Sequence, residues 1–205
     1  LAAITLMGGA KGGRYGKYGY GRSRSKSSKK TAVSKGDTTK EASKIAAHLV
    51  THSNPKSAIA ETYRSLRTSL QFSGVDNPVK SVIITSGNPG EGKSTTVANL
   101  AIATAQMGLK TLIVDADLRK PVQHSLFGFK KEPGLIDALG NDPHQDDLLR
   151  KTEVDNLWIL PCGTIPPNPS ELLGSMAMKN LQQNLLEEFD HIFYDTPPVI
   201  AVTDA

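Results

Sequence analysis

Thiol chemistry is almost missing from this sequence, because Cys162 is its single cysteine and no His/Cys cluster has zinc-ligand spacing. A secreted disulfide scaffold and a structural metal domain are both disfavoured, and a reducing cytoplasm fits best. Aromatic residues are scarce at 5%, and the one tryptophan, Trp158, sits in LWIL (157–160), which reads as a core strand. Long apolar runs are lacking too: the amino-terminal one, residues 1–7, falls far short of the roughly 20 residues of a membrane helix and has no signal-peptide flanks. What is present, 38% hydrophobic and 21% charged residues over 205 positions, is enough for one domain with a real core and a tail.

The net charge of +4 conceals an asymmetry. Residues 1–40 hold ten Lys/Arg against one Asp, whereas the rest hold fourteen Lys/Arg against nineteen Asp/Glu. The basic segment is rich in glycine and serine, contains Tyr15, Tyr18 and Tyr20, and has almost no aliphatic residue after Met7. It lacks the apolar surface to offset its ordering entropy and reads as a disordered tail. A solvated linker is the plain explanation of such a run, with attraction to an anionic membrane leaflet or to nucleic acid as sharper ones. The chain starts on Leu1 and stops at Ala205 after a strand-like run, and so reads as a fragment.

Helical spacing predicts order from about residue 41, with one helix over 41–50 and another over 58–72 whose Ile59, Leu66 and Leu70 form one stripe. Glu61, Arg64 and Arg67, three apart, are expected on a shared face, which by pattern alone is an exposed helix with an ion pair. The run SVIIT (81–85) predicts a buried parallel strand, and a glycine-rich loop, a helix over 96–107 and a second buried strand over 110–114 follow. Such a unit places its loop at the carboxyl edge of the sheet, where ligands bind in open α/β folds.

That loop, Gly87-Asn88-Pro89-Gly90-Glu91-Gly92-Lys93-Ser94-Thr95, has the phosphate-binding spacing of two glycines followed by Lys and Ser. Gly87, Gly90 and Gly92 let N–H groups turn towards a phosphate, and the next helix aims its positive end at the same anion. Lys93 would reach the β and γ phosphates, Ser94 would offer its hydroxyl to Mg²⁺, and Thr95 would lie near the α phosphate. Three carboxylates are candidates to join them: Asp115 and Asp117 after the second strand, and Asp195 after the strand-like HIFY (191–194). Mg²⁺ needs few carboxylates beside water and phosphate oxygens, so one can be spared to orient a nucleophile. Asp117 as a helix cap and Asp195 as a turn residue are the plain alternatives.

Five ordered segments resemble one known family, the bacterial tyrosine kinases of capsule and exopolysaccharide synthesis. They are NPKS with ETYRSLRT (54–57, 61–68), the loop (86–95), VDADLRKP (114–121), PCGTIPPNPSELL (161–173) and FYDTPP (193–198). The resemblance implies ATP- and Mg²⁺-dependent autophosphorylation on tyrosine, with Lys93 and Ser94 in the Walker A loop, Asp115 and Asp117 in a second Walker motif, and Asp195 as Walker B. It implies Asp117 as the base for the tyrosine hydroxyl and Ser94, Asp115 and Asp195 on or near the metal. It further implies a homo-oligomer interface through Glu61, Arg64 and Arg67, and an activating transmembrane partner of the polysaccharide co-polymerase type. A cognate phosphatase, a place at the inner face of the plasma membrane through the partner, and no role for nucleic acid complete the expectation.

Two departures stand out. Such kinases usually continue past Ala205 into further strands and a tyrosine-rich tail, whereas here Tyr15, Tyr18 and Tyr20 lie at the amino end and become the candidate phosphoacceptors. The alternatives are a partitioning-type switch ATPase, disfavoured because Asn88-Pro89 stands where its loop carries a further lysine, and a non-catalytic nucleotide-binding regulator, disfavoured by the intact Lys93 and carboxylates. The expected architecture is a three-layer α/β sandwich around a mainly parallel sheet: a tail over 1–40, helices over 41–78 and an incomplete P-loop domain over 79–205.

Overall fold

The computed structural model describes residues 48–74, 78–140 and 147–200. The basic tail with Tyr15, Tyr18 and Tyr20, and all but the end of the helix expected over 41–50, lie outside the described residues. Where description begins, Leu49 is not helical and α1 runs over Val50–Ser53, past the expected end. α2 (Ala58–Ser73) matches its expected span and starts on Ser57, whose side chain accepts from the Ala60 N–H at 3.1 Å. Such a cap contributes about 1 kcal/mol.

Five strands form one sheet in the order β1-β5-β2-β4-β3: β1 (Ser81–Ile84), β2 (Thr111–Asp115), β3 (Arg150–Lys151), β4 (Leu157–Leu160) and β5 (His191–Asp195). All neighbours are parallel except β3 against β4. The helices are α3 (Lys93–Ala105), α4 (Gln123–Leu126), α5 (Leu135–Leu139), α6 (Pro169–Leu173) and α7 (Met176–Glu188). Alternation along the strands builds the three layers. Leu112, Val114, Ile192 and Tyr194 pack with Leu135, Met178 and Leu185 on one face. Ile113, Phe193, Leu157 and Ile159 pack with α3 on the other. Each fully buried Leu or Ile stabilises by about 1.5–3 kcal/mol.

α3 is apolar on every side, as a helix sandwiched between the sheet and further helices must be. Its residues 97–105 are all buried, and the two polar ones are satisfied: Thr104 Oγ1 donates to the Leu100 carbonyl at 2.9 Å, and Asn99 is fully bonded. Asn99 Oδ1 accepts from the Thr51 N–H (2.9 Å), and Nδ2 donates to the His48 (2.7 Å) and Thr95 (2.8 Å) carbonyls, which fastens α1 to α3.

Three expectations need correction. β1 is an edge strand among the described residues and not a buried one, with Ile83 62% exposed, because β5 covers one side only. Ile59 is 41% exposed; Ala60 and Tyr63 take the buried face of α2, with Leu66 and Leu70 beside them. Glu61, Arg64 and Arg67 do not share one face, because each three-residue step falls about 60° short of a full helical turn. Glu61 pairs with Arg64 on the outside, whereas Arg67 Nη1 reaches the Ala103 carbonyl at 2.9 Å.

Candidate active site

The phosphate loop is built where β1 ends and α3 begins. Gly90 and Gly92 have φ of +83° and +86°, left-handed values that a side chain would strain, and so allow the sharp reversal into the helix. α3 starts at Lys93, three residues earlier than its periodicity suggests, so Lys93, Ser94 and Thr95 form its first turn at the positive end of the helix. Gly87 contributes no free donor here, since its N–H donates to Glu91 Oε2 at 3.0 Å. Asn88 Nδ2 donates to Glu91 Oε1 at 3.0 Å, and the Asn88 and Gly87 donors hold the Glu91 carboxyl below its ordinary range.

Strand order brings the three carboxylates to this loop. β5 lies between β1 and β2, so Asp195 ends one strand from the loop, and Asp115 is its in-register neighbour on β2. The Lys93 Nζ donates to Asp117 Oδ2 at 2.8 Å, Asp195 Oδ1 at 3.2 Å and Ser94 Oγ at 3.2 Å. Burial works against the ammonium, but Asp195 and Asp117 outweigh it and raise the Lys93 pKa. Asp115 is fully buried; burial first, then the Asp195 charge, push its carboxyl well above the usual range. Asp117 also caps its own turn: Oδ1 accepts from the Arg119 (3.3 Å) and Lys120 (3.0 Å) N–H groups, and no helix starts at Leu118. Asp195 is the last, fully buried residue of β5 and not a turn residue.

A cleft of about 430 Å³ opens over these groups, lined by Pro89, Gly90, Lys93, Asp117, Arg119 and Pro198 among others. A second cavity, about 400 Å³, lies beside α2 and β1, with Leu70, Val79, Val82 and Phe193 in its wall and no carboxylate among the described lining residues. Lys93, Ser94, Asp115, Asp117 and Asp195 thus converge as the sequence suggests, while Glu61, Arg64 and Arg67 stand apart on α2. Cys162 is buried, and burial lifts its thiol to about 12, which suits packing rather than nucleophilic work.

The residue that sequence reasoning missed is Gln123. Its Nε2 donates to Asp195 Oδ2 (2.9 Å) and the Ser94 carbonyl (2.9 Å), and its N–H donates to Asp115 Oδ2 (3.0 Å). Only its place just after the charged run of 114–121 hints at this, since nothing local marks a glutamine there. Two buried oxygens, Asp115 Oδ1 and Gln123 Oε1, have no hydrogen-bond partner among the described residues.

A protein-family model described as an AAA domain matches residues 79–204. The chain is 44% identical over 163 residues to the tyrosine-protein kinase YwqD of Bacillus subtilis (strain 168), which spans 80% of this chain and 69% of that protein. The putative tyrosine-protein kinase CapB of Staphylococcus aureus is 43% identical over 77% of this chain and 69% of its own. Among solved structures, the chimerical protein CapA2B2 superposes with a TM-score of 0.75 at 47% identity, covering 77% of this chain and 70% of that one. The kinase domain of the Escherichia coli tyrosine kinase ETK gives 0.73 at 34% identity, covering 77% and 62%. Identity of this order across most of the described fold establishes kinship, and the chain belongs to the family of bacterial tyrosine-protein kinases.

Proposed function

We propose that the cleft transfers the γ-phosphoryl group of Mg²⁺·ATP to tyrosine hydroxyls of this chain and of neighbouring copies, under the control of a membrane partner in capsular or exopolysaccharide export. The observation that carries this reading is the convergence of the Lys93 ammonium on Asp117 and Asp195, at 2.8 and 3.2 Å, beneath a loop shaped for phosphate.

With a phosphate chain in the loop, Lys93 turns from the carboxylates to the β and γ oxygens, and the first turn of α3 adds N–H groups. The residues present fit a divalent cation as well, because Asp115 Oδ1 is a buried acceptor without a partner among the described residues, Asp195 is its neighbour in register, and the Lys93 ammonium links Asp195 to the Ser94 hydroxyl. Mg²⁺, when bound there, neutralises charge on the β and γ phosphates. Asp117 keeps Oδ1 on the Arg119 and Lys120 N–H groups, so release of Lys93 frees Oδ2 to accept the tyrosine proton. The tyrosine oxygen then bonds to the γ phosphorus as the bridging P–O bond breaks, and ADP leaves.

Of the five tyrosines, Tyr63 and Tyr194 are buried, and burial lifts the Tyr194 hydroxyl to about 12. Tyr15, Tyr18 and Tyr20 are the candidate acceptors within the given sequence. Glu61 and Arg64, with Arg67, would form a homo-oligomer contact that brings one copy's tyrosines to another's cleft. A transmembrane activator of the polysaccharide co-polymerase type would hold the kinase at the inner face of the plasma membrane, with a phosphatase to reset it. No helix among the described residues is long and apolar enough to cross a membrane.

The test is incubation of the protein with labelled ATP, Mg²⁺ and the partner's cytoplasmic segment, followed by phosphoamino-acid analysis. Label on tyrosine is expected. Hydrolysis of ATP with no labelled protein would replace the kinase reading with the switch ATPase.

A further inference from the structure

The steps above leave one fully buried polar side chain without a task. Gln123 has no exposed surface, yet its Oε1 finds no partner among the described residues. A buried acceptor left unsatisfied is costly, and an apolar side chain of the same shape would serve packing better. Packing alone therefore does not account for an amide at this position.

Its donors account for it. Gln123 is the first residue of α4, just beyond the second Walker motif, and it bonds to the ends of two strands and to the first turn of α3. Asp195 Oδ2 is held by Gln123 Nε2 while Oδ1 faces the Lys93 ammonium. Asp115 Oδ2 is held by the Gln123 main-chain N–H while Oδ1 stays open. Each carboxylate is thus gripped on one oxygen and presents the other singly. That is the arrangement a small octahedral cation asks for, since it takes one oxygen from each of a few carboxylates and rejects loose geometry. The second Nε2 hydrogen goes to the carbonyl of Ser94, whose hydroxyl belongs to the same group.

We propose that Gln123 is a positioning residue for phosphoryl transfer. By donating to Asp195 Oδ2, Asp115 Oδ2 and the Ser94 carbonyl, it sets the cation-facing oxygens and ties the second Walker motif to the phosphate loop. This rests on the reading of Ser94, Asp115 and Asp195 as the cation's surroundings. Gln123 touches neither phosphate nor cation; it acts through residues that do, as outer partners of metal ligands act.

Calorimetry of ADP binding, first in EDTA and then along a Mg²⁺ titration, tests it on the full chain as wild type, Gln123→Met and Gln123→Glu, with melting temperatures recorded for each. Wild type should bind ADP more tightly as Mg²⁺ is added. Gln123→Met should match wild type in EDTA but need about 10–100-fold more Mg²⁺ for the tightening, the range that loss of such outer partners produces. Gln123→Glu keeps the size and replaces the donor with an acceptor facing Asp195, so its Mg²⁺ requirement should rise at least as far. A packing role would shift the melting temperature and leave the Mg²⁺ midpoint at the wild-type value, and that result overturns the proposal. Should Gln123→Met fail to fold, Gln123→Glu is read against the same curve. A wild type whose ADP affinity ignores Mg²⁺ sinks both the cation reading and this proposal; a wild type that tightens, with variants that follow it, sinks the proposal alone.

Discussion

Asp115 and Asp195 stand opposite each other in register on adjacent parallel strands, and neither has any exposed surface. Lys93 bonds to Asp195 and Asp117, which leaves Asp115 beside a like charge with no ion pair of its own among the described residues. Burying a carboxylate in this way costs the fold free energy and prepares it for a cation. Stability and function therefore pull in opposite directions at the ends of β2 and β5.

Asp115→Asn should relieve that conflict in the nucleotide-free protein. A rise in melting temperature of about 2–4 °C is expected, the shift that roughly 1 kcal/mol produces in a domain of this size. The same variant should lose the Mg²⁺-dependent gain in ADP affinity. Thermal melting and calorimetry check the two halves, and a lower melting temperature would show that the carboxylate stabilises the fold.

Lys93→Met should lower phosphorylation by at least about 10²–10³-fold through loss of transition-state charge stabilisation. It should also destabilise the nucleotide-free fold by roughly 3 kcal/mol, because it strips the buried carboxylates of their counter-ion. Lys93→Arg keeps the charge and should recover most of the stability but little of the activity, since a planar fork does not reach the phosphates as a compact ammonium does. Radiolabel transfer and urea titration separate these effects.

Glu61 and Arg64 should behave differently from Arg67. The first two form an exposed pair, so Ala at both positions should cost about 0–1 kcal/mol. Sedimentation should nevertheless show smaller particles. Arg67→Ala should cost about 1–3 kcal/mol in the monomer itself. Met107 donates to Thr104 at the end of α3, and Arg67 takes the Ala103 carbonyl, a helix-end acceptor that burial would leave unsatisfied.

His191 stacks on Phe193 with ring centroids 6.4 Å apart, and burial lowers its pKa. A histidine whose folded pKa lies below its unfolded value binds fewer protons when folded. Its contribution is therefore harmless above the ordinary histidine pKa near 6.5 and increasingly destabilising as pH falls through that value. Wild type should lose stability relative to His191→Gln between pH 7.5 and pH 5, by urea denaturation at several pH values. A gap that stays constant would show that the imidazole protonates equally in both states.

The sequence reveals most where chemistry is local. The loop of residues 87–95 is legible because its glycine, lysine and serine spacing is itself the mechanism, and β2 and β5 are legible because strands buried on both faces carry near-continuous apolar runs. β1 has the same run yet lies at an edge, since SVII carries no record of how many neighbours the sheet supplies. The helix start at Lys93 is hidden because glycine caps have no side chain to announce them. Gln123 is hidden for a deeper reason: its partners are 8, 29 and 72 residues away, and only the folded crossover brings them together.

The burial of α3 has a mechanical consequence. A helix enclosed along residues 97–105 and fastened to α1 through Asn99 cannot tilt or slide without disturbing close-packed neighbours on every side. The wall of the cleft built on α3 is thus the better braced one, like the fixed jaw of a vice. Tightening on substrate entry meets less resistance at the opposite jaw, the stretch from Asp117 to Val122 and the Pro197-Pro198 step, where the chain runs without long helices to brace it.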